Sequence, residues 1–162
     1  MKPYLAPSLV RLTRERDVRW YSLRKRVRPA LEGWLGDAAH QARSSGHNPD
    51  TKGCVHAKDF DIDGMNVPEF LARVIGDPRV WYVVHDQLIW NRRTAWVPEA
   101  YTGPNPHLEH VHVSLINSTE KRVWSAQELY FAETTTTGWG LASLIIKSMY
   151  VRVVARIKRR GY

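Results

Sequence analysis

The chain has 162 residues, 43% of them hydrophobic, with a formal charge of +8 and one cysteine. That length suits a single domain with a real core and room for an appendage. The lone Cys54 excludes an internal disulfide framework and a four-cysteine zinc site, so any metal must be held by histidines and carboxylates.

The charge is uneven: residues 1–30 sum to +7, residues 139–162 to +6, and the stretch between them to −5. Basic ends can attract nucleic acid, anionic membrane or anionic wall polymer, or can simply be solvated helical faces. No apolar run long enough for a signal peptide occurs between Met1 and Arg28, which implies synthesis in the cytoplasm without a secretion address.

In chain order, residues 8–18 read as a short basic helix and residues 29–36 as a linker. Asp37 is placed to cap a helical turn over Ala38–Arg43. Residues 44–53 are almost wholly turn formers and read as a loop. Residues 55–63 look extended, and Gly64 ends them. Asn66 opens a helix to about Ile75, with Pro68 tolerated in its first turn. Arg79–Val84 and Gln87–Asn91 suggest a β-hairpin turning at His85-Asp86. Ser125-Ala126-Gln127-Glu128 is a capping box for a short helix to about Glu133. Residues 134–138 then form a Thr-rich linker, and residues 139–162 a basic amphipathic tail whose Lys147 and Arg152 argue against a membrane span.

The densest chemistry lies at His107-Leu108-Glu109-His110-Val111-His112. Alternation after Glu109 predicts a half-buried strand, with His110 and His112 on one face and Val111 and Val113 in the core. Two imidazoles on a rigid strand suit a metal ligand beside a proton-transfer group. His47, in the turn-rich loop, and Asp59, on the following strand, are the best partners for His112. Two histidines and a carboxylate, with an open fourth position, form a normal hydrolytic zinc site. Asp59-x-Asp61-x-Asp63-Gly64 has the opening of a calcium loop, but Phe70 occupies its twelfth position. Trp90, Arg92, Arg93, Trp96 and Tyr101 are candidates to line a groove for a peptide and its carboxylate.

Ser45-Gly46-His47, Ala57-Lys58-Asp59 and His107-x-x-His110-x-His112 together resemble the zinc D-Ala-D-Ala carboxypeptidase and L-Ala-D-Glu endopeptidase family, which shares a fold with lysostaphin-type endopeptidases and the hedgehog signalling domain. With Gly36-Asp37-Ala38-Ala39-His40, Trp90-Asn91-Arg92-Arg93 and Asn105-Pro106-His107, the likeness is nearest to peptidases of phages infecting actinobacteria, and it spans roughly residues 30–117. The interval from His47 to Asp59 is twelve positions where the family usually has seven. His56 and Asp63 have the seven spacing, but Cys54 stands where the serine belongs, which favours His47 and Asp59.

The resemblance implies that His47, Asp59 and His112 bind Zn2+. It gives His110 the proton transfer and His107 a supporting role. Glu109 stands three positions before His112, where vancomycin-resistance relatives place a catalytic Glu, although strand alternation would turn it away. The expected fold is α+β: a small antiparallel sheet carrying the zinc site, with flanking helices and the C-terminal basic segment. A peptidase domain would span 1–133, with its core at 30–117. The expected activity is a monomeric, endolysin-like zinc peptidase cutting a peptidoglycan stem peptide or cross-link at the bacterial cell wall. Its tail would be offered to anionic wall polymer or membrane, and nucleic acid is disfavoured as a partner. The competing readings are a metal-dependent nuclease or nucleic-acid binder, and a non-catalytic wall-binding or virion domain of the same fold.

Overall fold

The computed structural model describes residues 1–21 and 32–117. The expected helix ending near Glu133, the Thr-rich linker and the basic tail lie outside the described residues. Five strands make one antiparallel sheet: β3 (Ala57–Asp61), β4 (Val80–His85), β5 (Leu88–Asn91), β6 (Pro98–Ala100) and β7 (His110–Leu115), in the order β3-β7-β4-β5-β6. A separate two-stranded parallel pair joins β1 (Tyr4–Leu5) to β2 (Cys54–Val55). With helices α1 (Pro7–Arg16), α2 (Ala38–Gln41) and α3 (Val67–Val74), the fold is α+β, as expected.

The period-two pattern assigns each sheet face. Lys58, Val113, Val83 and Trp90 are successive cross-strand neighbours and all are buried on one face. Phe60 and Val111 form the next pair there. Helix α1 adds Leu9 and Leu12 to this core, and α3 adds Phe70, Leu71 and Val74. The opposite face carries Asp59, His112, Val84 and Ile89 in one row, with Ser114 and Tyr82 in the next.

Local chemistry explains the boundaries. The Asp37 carboxylate accepts the His40 N–H (3.0 Å), so the expected cap forms, and the Asn66 side chain accepts the Glu69 N–H (3.2 Å) at the start of α3. The hairpin turns at Asp86-Gln87, one residue later than expected. Both have positive φ (47° and 62°), the twist that two-residue hairpin turns need, and His85 stays in β4 opposite Leu88. The single strand expected over 55–63 is split at His56, because β2 pairs with β1 while β3 pairs with β7.

Basic residues of the N-terminal segment are held in ion pairs, one of them inside the fold. Arg11 pairs with Glu15 (2.7 Å), Arg19 with Glu69, and the fully buried Arg16 with both Asp17 (2.7 Å) and Glu32. No described helix is long and apolar enough to cross a membrane.

Candidate metal centre

Strand register builds the site. Asp59 and His112 are directly paired across β3 and β7, so their side chains leave the same face side by side. His112 Nδ1 stands 2.9 Å from Asp59 Oδ1. The third group comes from the loop before β2, which lies close against the sheet. An added Cβ at Gly46 would stand 2.9 Å from both Ala57 Cβ and Ser114 Oγ, so a residue without a side chain is needed there. The next residue, His47, thereby places Nε2 at 3.2 Å from His112 Nδ1 and 3.5 Å from Asp59 Oδ1.

Neighbouring backbone orients these groups. His47 Nδ1 lies 3.1 Å from the Trp34 carbonyl, which can only accept, so the ring proton sits on Nδ1 and Nε2 presents its lone pair to the site. The Asp59 N–H donates to the Gly33 carbonyl (2.7 Å). Residues 32–36, expected as a linker, thus line β3 and aim two of the three donors. Tyr82 stacks on the His112 ring with centroids 5.3 Å apart. Sequence reasoning missed Trp34, Gly33 and Tyr82: two act through carbonyls, which leave no residue-type signature, and Tyr82 reads as an ordinary strand aromatic.

The electrostatics fit a cation. Burial alone would raise Asp59, but hydrogen bonds and charge from His112 and His47 outweigh it and hold the carboxyl far below the usual carboxylate range. Burial also holds His112 below its ordinary value, against the pull of Asp59. His47 is pressed the same way by burial, yet Asp59 and the Trp34 carbonyl win and raise it. The buried His112 is therefore kept neutral, while the carboxylate favours a proton, or another cation, near His47.

His110 and His107 complete a second edge. His110 Nε2 is buried with no hydrogen-bond partner among the described residues and lies 3.9 Å from Asp59 Oδ1. The backbone of His107 is left-handed (φ 54°), and its Nδ1 donates to the Asn105 carbonyl (2.5 Å). His85 fixes this corner, since its Nδ1 lies 3.1 Å from the carbonyls of both His107 and His110. Burial lowers His110 and, with repulsion from His112 and His110, brings His107 down to about 4.

The other candidates fall elsewhere. Glu109 is exposed, as strand alternation implied, and belongs to neither donor set. His56 bonds Asp50 (3.1 Å), and the Asp63 carbonyl accepts from Tyr21, so the alternative pair is not brought together. Asp61 accepts the Asp63 N–H (3.0 Å) rather than joining Asp59 around an ion. The aromatic–arginine groove needs correction. Trp90 faces the core opposite Val83, Trp96 packs on that core, Arg92 bonds the Pro78 carbonyl, and Arg93 lies over Trp81. Of that set only Tyr101 lines the cleft of about 420 Å³ over the three donors, beside Arg43, Ser45 and Tyr82.

Among the described residues, two groups that share Asp59 could hold a metal ion: His47, Asp59 and His112, and Asp59, His107 and His110. Ligands 2.0–2.1 Å from a tetrahedral zinc stand about 3.3 Å apart. The separations of 2.9, 3.2 and 3.5 Å in the first group bracket that value. No protein-family model, curated protein or solved structure matches the chain.

Proposed function

We propose that the protein is a zinc-dependent peptidase of bacterial peptidoglycan. The observation that carries this reading is the convergence of His47 Nε2, Asp59 Oδ1 and His112 Nδ1 at zinc-ligand spacing. The donor set fits the ion: two imidazole nitrogens, one ionised carboxylate and a cleft side open to substrate. When bound there, the ion supplies a Lewis acid and lowers the pKa of a water it holds to about 7.

The chain's own groups do the rest. His47 and His112 bind as neutral rings, the first with its tautomer set by the Trp34 carbonyl. His110 Nε2 is the proton carrier. It takes a proton from the attacking water and returns it to the leaving amine, and no competing hydrogen bond has to break first. His107 packs against His110 with ring centroids 4.7 Å apart and limits how that ring can turn. Tyr82 and Tyr101 give walls against which a peptide can lie, and Arg43 offers a fork for a carboxylate.

A second groove of about 730 Å³ shares Ser44, Ser45 and Tyr82 with the metal cleft and runs on past Trp81 and Asn117. A groove continuous with the metal cleft supports an extended stem peptide or cross-link as substrate. The test is digestion of purified peptidoglycan by the zinc-loaded full chain, read as new amine ends and as muropeptide masses. We expect release that stops with a chelator and with His112→Ala. Amine release undiminished by both treatments rejects the mechanism, and an intact wall rejects the substrate.

A further inference from the structure

We propose that this centre takes a second divalent cation, held by His107 and His110 and joined to the first through the Asp59 carboxylate. The inference rests on the metal-binding half of the reading above and is independent of peptide hydrolysis.

The two donor groups share Asp59 and do not merge into one set, so the four histidine nitrogens cannot all close around a single ion. The second pair is nonetheless built for ligation. With Nδ1 of His107 committed to the Asn105 carbonyl, its Nε2 is left proton-free. His110 Nε2 is buried with no hydrogen-bond partner among the described residues, on the Asp59 side of its ring. The corner carrying both is set in advance by the left-handed backbone at His107 and the His85 bonds to both carbonyls. His112, His47 and His110 all stand nearest the same oxygen, Asp59 Oδ1, at 2.9, 3.5 and 3.9 Å, so this one carboxylate lies between the two sets and is placed to bridge ions about 3.5–4 Å apart.

Charge ranks the two ions. One carboxylate faces both, Arg43 lines the same cleft, and His110 Nε2 stands 3.9 Å from Asp59 Oδ1, farther than the 3.5 Å of His47 Nε2. The second ion therefore binds more weakly, by roughly tenfold or more, from repulsion alone. Once seated it occupies His110 Nε2, so excess zinc removes the proton carrier and slows the reaction.

Equilibrium dialysis of the full chain against zinc chloride tests this. We expect one tight and one weaker equivalent per chain. The double substitution His107→Asn, His110→Asn should remove only the weaker one, and its retained tight equivalent reports that the fold survives. His40→Asn, beside His47 and outside both groups, should retain two equivalents. Cobalt(II) gives an independent readout on the unaltered protein: the second equivalent should perturb the spectrum of the first through the shared carboxylate. A single equivalent at saturation, a weaker equivalent that survives the double substitution, or two non-interacting cobalt ions overturns the proposal. Failure to cut peptidoglycan leaves each of these outcomes readable.

Discussion

Burial brings His107 down to about 4 from an ordinary 6.5, with further repulsion from His112 and His110. Its neutral form is thus favoured by folding. The stability this contributes is complete above pH 6.5 and is lost as pH falls toward 4. Burial lowers His85, His110 and His112 in the same sense. His47 is raised and opposes them, since its contribution is complete below 6.5 and is lost as pH rises through its folded value. Four histidines against one give the sign. We expect the metal-free protein to lose melting temperature between pH 6.5 and 4, with a shallower slope in His107→Asn. Equal slopes by calorimetry would show that His107 does not titrate in this environment. At this scale the donors were legible, because His47, Asp59 and His112 are chemically distinctive. What aims them was not, since the Trp34 and Gly33 carbonyls are common to every residue type.

Strand alternation was the most informative pattern at the scale of elements. It put His110 and His112 on one face and Val111 and Val113 on the other, and β7 has that arrangement. It failed where the backbone departs from two-residue periodicity. A register shift between Val80 and Tyr82 resets β4, so Val80 and Val83 both reach the core. The 3-10 turn Arg92–Thr94 after β5 carries both arginines away from the cleft. Behind the site, the loop carrying Gly46 lies close against β3 and β7. Ala57 Cβ is fixed to its backbone, so a methyl group at position 46 can be accommodated only if the loop lifts, and His47 lifts with it. Gly46→Ala should therefore cost about 1–3 kcal/mol in stability from overpacking. Its zinc affinity should fall roughly 10–100-fold, as when a ligand's supporting contacts are removed. Isothermal titration calorimetry on the folded variant checks this, and unchanged affinity would mean that the loop does not set the His47 position.

The resemblance covered residues 30–117, yet at the scale of the whole molecule the N-terminal segment belongs to the same core. Ala6, Leu9 and Leu12 are fully buried, and β1 completes the small parallel sheet with β2. Burying two leucines is worth about 3–6 kcal/mol, a large part of the 5–15 kcal/mol by which domains are usually stable. A charged link adds to this. Arg16, wholly buried, pairs with Glu32, whose other oxygen lies 3.3 Å from Lys58 Nζ on the core side of β3. Glu32 directly precedes Gly33, the carbonyl that holds Asp59, so helix α1 is tied to the metal centre through one short segment. Net charge and motif spacing could not reveal this, because they treat Arg16 as surface and Glu32 as linker. Removing the shared carboxylate while keeping its shape, as in Glu32→Gln, leaves two buried cations less balanced and should cost about 3–5 kcal/mol. Deleting residues 1–21 removes the leucines as well, and we expect a chain that neither melts cooperatively nor binds zinc. Full-length, Glu32→Gln and truncated proteins compared by thermal melting and zinc titration decide the point. A truncated protein that melts cooperatively and binds zinc as tightly as the full chain would make the N-terminal helix an appendage, with the site supported by the sheet alone.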